Sequence, residues 1–174
     1  MINGIGIHSV YVLDQDVALD FYVGTLGFTV DTDVDMGFMR WLTIAPPGQP
    51  DRLILLEKPG PPALSDETAA KIRDLVTQGA MPVTILSTDD CRGTHAALVA
   101  RGVEFTQDPE DQPYGTDCAF RDPFGNALRM TQRTAADRPI GADDIGRWAR
   151  PRAYPSRPRA APCCCGWTPC SRSR

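Results

Sequence analysis

Histidines, the side chains used most often for proton transfer and for binding catalytic metals, are few in this sequence. The chain has two histidines, His8 and His95. Glu57 ends a short, strongly apolar segment, and Arg129 follows a turn farther along the chain. Imidazole and carboxylate groups are common ligands of catalytic metals, and a catalytic site usually needs three protein ligands. These residues therefore indicate metal chemistry only if the fold brings enough of them together.

No nucleotide-binding or nucleophile motif supplies another chemistry. The first 132 residues contain no G-x-G-x-x-G after a predicted strand, no P-loop, no G-x-S-x-G elbow and no C-x-x-C pair. Cys91 lies at a predicted helix N-terminus, where the helix dipole lowers the pKa of a thiol. That place is also an exposed capping position, so we expect Cys91, like Cys118, to be a structural or incidental thiol kept reduced.

Charge is divided unevenly along the 174 residues. Residues 133–174 hold nine of the 18 basic residues and three of the 22 acidic ones, so they carry about +6 and residues 1–132 about −10. An acidic body is a poor partner for nucleic acid. No apolar run reaches the roughly 20 residues that span a bilayer, and the first twelve residues lack signal-peptide features. We expect a cytoplasmic protein with no nucleic-acid or membrane partner.

The turn Asp122-Pro123-Phe124-Gly125-Asn126 organises the end of the acidic body. Proline presets φ at its second position and glycine permits a positive φ near its end, so the turn predicts a hairpin between two short strands. Before it, the pattern predicts a strand at 81–87, a helix at 89–101 and a strand at 103–107. Residues 81–132 are thus predicted to form a β-α-β-β-β unit.

Residues 4–58 repeat this order of elements. The pattern predicts a strand at 4–13, a helix to about 25, and strands at 28–34, 38–45 and 53–57. A helix at 65–79 links the two units. Asp14 and Gly27 bound the first helix as Asp89 and Gly102 bound the second, at an offset of about 75 residues. This spacing indicates a duplicated unit, neither copy of which could bury its sheet alone.

Residues 4–132 resemble a known family in several short segments that occur in the right order. The segments are Val12-Leu13-Asp14, Asp20-Phe21-Tyr22, Leu26-Gly27-Phe28, Arg101-Gly102-Val103-Glu104-Phe105 and Arg121-Asp122-Pro123-Phe124-Gly125-Asn126. They are similar to the vicinal oxygen chelate superfamily of glyoxalases, bleomycin resistance proteins and dioxygenases. The resemblance implies an α+β fold in which two β-α-β-β-β modules form a curved mixed-sheet cup around a small molecule, and it implies a homodimer.

The resemblance also implies where a divalent metal would be held, on the first and last strands of each module. Counting from the motifs places Ile7, Val83 and Arg129 at three of these positions and Glu57 at the fourth. An aliphatic chain donates nothing to a metal and a guanidinium repels one. His8 is one residue from the first position and is predicted to face outward, since strand side chains alternate. We expect no metal and no other cofactor; His8 and Glu57 are the weak candidates if a metal is found.

The remaining pocket candidates are Ser9 and Tyr11 on the first strand, Glu57, Arg129 and Tyr114. Arg129 could bind an anionic group or pair with Glu57, and we favour the pairing. Tyr114 precedes the closing hairpin, where it could act as a lid or be an ordinary turn residue.

Two further orientations matter for the pocket. Either Arg40 or Trp41 faces inward, and the sequence leaves both open. His95 is expected to be a solvated helix histidine.

Three functions remain open at this point. The favoured one is a protein that binds a small molecule in the cup without the catalytic metal of the family. The second is an enzyme, a metal-dependent lyase or extradiol-type dioxygenase. The third is a dimeric interaction module without a ligand.

Residues 133–174 differ in composition from the body. They are rich in Arg, Pro and Ala and end in CCCGWTPCSRSR. Adjacent cysteines are poorly placed for tetrahedral metal ligation, and no histidine accompanies them. We expect a disordered tail, which its composition suggests is a frame-shifted or extended C-terminus.

Overall fold

A computed structural model of the chain describes residues 1–2 and 4–134. Within this part of the chain there are three α-helices: α1 (Gln15–Leu19), α2 (Asp66–Gln78) and α3 (Cys91–Ala100). The strands are β1 (Ile7–Tyr11), β2 (Thr29–Asp35), β3 (Arg40–Ala45), β4 (Leu53–Glu57), β5 (Thr84–Ser87), β6 (Phe105–Gln112), β7 (Gly115–Arg121) and β8 (Ala127–Arg133). The predicted tail lies almost wholly outside the described residues.

The strands form two four-stranded sheets with the same topology. Their orders are β1-β4-β3-β2 and β5-β8-β7-β6. In each sheet the first strand of the module pairs in parallel with the fourth, and the other neighbours are antiparallel. The predicted α+β fold of two β-α-β-β-β modules is therefore confirmed. Strand ends shift by a few residues: β5 begins at Thr84 rather than residue 81, and β6 continues to Gln112.

Aspartate caps begin the two equivalent helices. Asp14 accepts the backbone N–H groups of residues 16 and 17 at the start of α1. Asp90 accepts the N–H of Gly93 at the start of α3, at 2.8 Å. The capping residue of α3 is therefore Asp90, and the prediction of Asp89 was wrong by one residue. A carboxylate satisfies N–H groups that have no partner inside the helix, which explains the aspartate in both places.

The ends of the two helices differ by one inserted residue. A π-helical turn, Asp20–Thr25, follows α1, whereas α3 ends without one. In both modules the chain then leaves the helix through a glycine with positive φ, Gly27 at 81° and Gly102 at 86°. The insertion explains why the modules are offset by 76 residues at the caps and 75 at the glycines. α2 also ends at such a glycine, Gly79, with φ of 68°.

One hydrophobic core joins the modules. It combines side chains of the first module, such as Val10, Tyr22 and Leu56, with Phe120 and Met130 of the second. The strand residues among these side chains all lie on one face of their sheets, and Tyr22, from the helical turn after α1, packs in the same core. The opposite face of each sheet, turned away from this core, is called the open face below.

Candidate functional site

Alternation along the strands assigns the open face of the first sheet. Leu42 and Ile44 of β3 are fully buried in the core. Arg40 shares their face, and its Nη1 donates to Asp16 Oδ1 at 2.7 Å beside α1. Trp41 therefore lies on the open face, which decides between the two residues that the sequence left open.

The same open face carries Ser9, Tyr11 and Glu57, on the paired strands β1 and β4. Tyr11 pairs in register with Glu57, and Ser9 with Leu55. Partial burial, and then the charge of Glu57, raise the pKa of the Tyr11 phenol above its usual value. Tyr11 is thus held as a neutral hydroxyl beside a carboxylate, an arrangement that suits hydrogen bonding to a polar group. Tyr114 lies apart from them, in the turn between β6 and β7.

A charged cluster occupies the open face of the second sheet. Arg129 of β8 lies across Ala119 of β7 and donates from Nε to Asp117 Oδ2 at 2.8 Å, with its Nη2 on the same oxygen. Nη2 also donates to Gln107 Oε1 at 3.2 Å. Asp117 is fully buried, and the Arg129 side chain is 19% exposed. The preferred pairing of Arg129 with Glu57 is therefore wrong, since Arg129 has its carboxylate partner in its own module.

The donor set of the open faces does not fit a divalent metal. Ile7, Val83 and Arg129 occupy three of the positions that the family resemblance marks for ligands, and only Glu57 offers an oxygen. Within residues 1–2 and 4–134 no three His, Cys, Asp or Glu side chains are grouped closely enough to hold an ion. A catalytic zinc site, for comparison, uses three protein ligands. No step of chemistry through a metal follows from these residues.

The two histidines lie outside the open faces. His8 pairs with Ile54 and shares the face of Val10, on the core side of the sheet. His95 packs against Phe105 with ring centroids 4.2 Å apart, and its side chain is 18% exposed. The expectation of a solvated His95 was wrong because α3 packs on β6, which places the imidazole against an aromatic ring.

Cys91 and Cys118 are fully buried, with their sulfur atoms 3.7 Å apart. Burial raises the pKa of both thiols, that of Cys118 to about 12. The helix position of Cys91 had suggested a lowered pKa and an exposed site. Both expectations were wrong, because desolvation outweighs the helix dipole when the thiol faces the core.

The described chain also contains a cavity of about 730 Å³ between the modules. None of the five pocket candidates lines it. No helix within the described residues is long and apolar enough to cross a membrane.

The chain is similar in sequence to known proteins. The sequence model of the Glyoxalase/Bleomycin resistance protein/Dioxygenase superfamily matches residues 4–130. The uncharacterized protein YurT of Bacillus subtilis is 34% identical over 125 residues, which cover 72% of this chain and 95% of YurT.

Two solved structures are similar in both sequence and fold. UcmS2 is 39% identical with a TM-score of 0.72, covering 76% of this chain and 99% of its own. TnmS3, an antibiotic binding protein from Streptomyces sp. CB03234, is 32% identical with a TM-score of 0.62, covering 76% of this chain and 98% of its own.

Proposed function

Because the chain belongs to the glyoxalase/bleomycin resistance protein/dioxygenase superfamily, we propose that it binds a small organic molecule on the open faces of its sheets without using a divalent metal. Members of this superfamily bind small molecules, and TnmS3 binds an antibiotic. The proposed ligand is an aromatic natural product of antibiotic type. The protein would sequester it reversibly rather than transform it.

The observation that carries this proposal is the cluster of Arg129, Asp117 and Gln107. It fills a position where a metal-dependent relative would present a carboxylate, and it binds the carboxylate that is present in an ion pair. Asp117 is buried and neutralised by Arg129, so a metal ion would have to displace the guanidinium to use this carboxylate. The open face of the first sheet presents an aromatic side chain, Trp41, which supports recognition of a ligand where the ligand set for metal chemistry is absent.

A homodimer is part of the proposal. Aliphatic side chains on the open faces are substantially exposed in the single chain: Ile7 by 41%, Val34 by 50%, Val83 by 44% and Ile85 by 54%. Exposed apolar surface often marks an interface or a ligand site, and these side chains supply it on both open faces. A second copy facing these sheets would cover the aliphatic residues and enclose a ligand between two chains. Sedimentation velocity of the full chain tests the dimer, and a monomer at micromolar concentration would contradict it.

Trp41 provides the assay for ligand binding. The full chain is prepared with Trp148→Phe and Trp167→Phe, so that emission comes from Trp41 alone. A panel of aromatic antibiotics, including daunorubicin and metal-free bleomycin, is titrated against it. We expect saturable quenching by at least one compound, and the variant Val34→Glu, which places a charge opposite Trp41 in the β2–β3 pair, should weaken that binding.

Elemental analysis separates this function from the enzymatic alternative. The four cysteines of residues 163–170 are first replaced by serine, since they could bind zinc on their own. The proposal predicts substoichiometric metal after dialysis against a chelator and again after dialysis with added divalent ions. A full equivalent of metal that disappears in Glu57→Ala would overturn it and favour a lyase or dioxygenase. A dimer that binds no metal and shows no quenching by any compound of the panel would instead favour an interaction module.

A further inference from the structure

The duplication creates two equivalent junctions between the modules. At each junction, the turn that connects the third and fourth strands of one module lies beside the first strand of the other. The β7–β8 turn contacts β1 through Asn126, whose Nδ2 donates to Tyr11 O at 2.8 Å. The β3–β4 turn lies opposite β5, because Arg52 and Ser87 border the same cavity. The two junctions share a topology but differ in how they are packed.

The β7–β8 junction is closed. Phe124 enters the core, and Asp122 accepts a hydrogen bond from the Tyr22 hydroxyl at 3.1 Å. α2 covers the turn so closely that a Cβ on Gly125 would lie 2.8 Å from Val76 O. Three side chains therefore fill this junction: the aromatic Tyr22 of the helical turn after α1, the aromatic Phe124 of the β7–β8 turn, and the buried carboxylate of Asp122.

The β3–β4 junction lacks each of these parts. Leu98 of α3 takes the place of Tyr22, since the N–H of Val103 donates to Leu98 O as that of Phe28 donates to Tyr22 O, both at 3.0 Å. The turn at residues 46–52 carries no aromatic side chain, and among the described residues it makes no hydrogen bond to β5 or α3. The cavity of about 730 Å³ lies in the space that results.

The lining of this cavity divides into an apolar floor and a polar end. The floor consists of buried side chains: Phe28, Ile54, Leu98, Phe120 and Met130. The polar end continues into a neighbouring depression bordered by Gln49, Asp51, Arg52 and Ser87. That end offers donors and acceptors and one charge of each sign, and His8, Thr84, Thr88 and Thr94 add further polar groups to the lining. A cavity of several hundred Å³ with an apolar floor and a few polar groups has the usual form of a small-molecule site.

We propose that this cavity, named here the junction cavity, is a second binding site, and that it takes an uncharged, mainly aromatic molecule with hydrogen-bonding groups at one end. The apolar floor receives the ring system by burial of apolar surface. The opposite charges of Asp51 and Arg52 cancel, so the polar end favours a neutral hydrogen-bonding group over an ion, whose hydration would be lost without compensation. This site lies apart from the open faces and does not depend on the function proposed for them.

The test compares two dyes with the same ring system. N-phenylnaphthylamine is uncharged, and anilinonaphthalenesulfonate carries a sulfonate. Each is titrated into the full chain and followed by its own fluorescence. The variant Thr84→Phe places an aromatic ring on the cavity side of β5, where Thr84 pairs with buried Leu128. Val17→Phe is the matched control, an aromatic substitution at an exposed position of α1 that borders neither the cavity nor an open face.

We expect saturable binding of the uncharged dye, weaker binding of the sulfonate, and a loss of about tenfold or more in affinity in Thr84→Phe, which corresponds to about 1.4 kcal/mol. Val17→Phe should bind the uncharged dye as the parent does. Equal binding of both dyes, no binding of the uncharged dye, an unchanged affinity in Thr84→Phe, or an equal loss in Val17→Phe would overturn the inference. Circular dichroism verifies that Thr84→Phe is folded; if it is not, Leu98→Phe fills the cavity from α3 and carries the same expectation.

Discussion

Removal of the Arg129 side chain should reveal whether the cluster on the open face of β7 and β8 is held by charge pairing. In Arg129→Met the buried carboxylate of Asp117, which is fully inaccessible, keeps only its weak contact to Gln107 Nε2 at 3.4 Å. A buried charge that loses its partner costs about 3–5 kcal/mol. Methionine retains most of the volume of the arginine stem, so little of this loss comes from packing.

The loss of stability depends on which member of the ion pair remains. In Asp117→Leu the guanidinium of Arg129 remains, but its side chain is 19% exposed and can be hydrated from the open face. We therefore expect a smaller loss, about 1–3 kcal/mol. In the double variant Asp117→Leu with Arg129→Met neither charge remains, and replacement of a buried pair by apolar groups is often neutral or stabilising. The double variant should be within about 1 kcal/mol of the parent, which implies a strongly favourable coupling energy.

Urea unfolding of the full chain, followed by far-ultraviolet circular dichroism, measures these differences. Arg40→Met is the control, because the carboxylate partners of Arg40 are exposed and its loss should be much smaller. The reasoning would be refuted by additive effects of the two single variants, or by an Arg129→Met variant no less stable than Arg40→Met. Trp41 quenching separates the roles further: if Arg129 binds an anionic ligand directly, the stable double variant should lose that ligand.

Three other predictions concern the closed junction, the buried cysteines and the cap of α1. Asp122→Ala leaves the Tyr22 hydroxyl and the N–H groups of the turn without their acceptor. Urea unfolding should therefore show a loss of stability of at least about 3 kcal/mol for Asp122→Ala, against about 1 kcal/mol for Tyr22→Phe; equal losses would contradict these hydrogen bonds. With the tail cysteines replaced by serine, Cys118 and Cys91 should not react with Ellman's reagent at pH 8 until urea is added, because both are fully buried and their thiol pKa values are raised; rapid reaction of the native protein would disprove this. The N–H groups of residues 17 and 16 lower the pKa of Asp14, so its contribution to stability is present above the unfolded pKa of about 3.9 and is lost as the pH falls through the folded value. Asp14→Asn should therefore lose less stability than the parent between neutral and strongly acidic pH, and identical pH profiles would argue against the cap.

The sequence alone determined the elements and their duplication, because these depend on local interactions. A proline and a glycine at fixed places specify the turn at 122–126, whatever packs against it. Aspartate before a helix and glycine after it mark the ends of α1 and α3 through hydrogen bonds to neighbouring residues. The sequence also predicted that positions 83 and 129 carry no metal-ligating residue, since that follows from the identity and spacing of Val83 and Arg129.

Only the tertiary structure decided which side chains meet. The partner of Arg129 is on the next strand because Ala119 is small enough for the guanidinium to cross it, and no local pattern records that register. Trp41 is assigned to the open face by the contact of its neighbour Arg40 with α1. The burial of Cys91 and the junction cavity likewise arise where separate segments pack together. Hydrogen bonds along the chain are encoded by neighbouring residues, whereas cavities and buried ion pairs depend on distances between residues far apart in sequence.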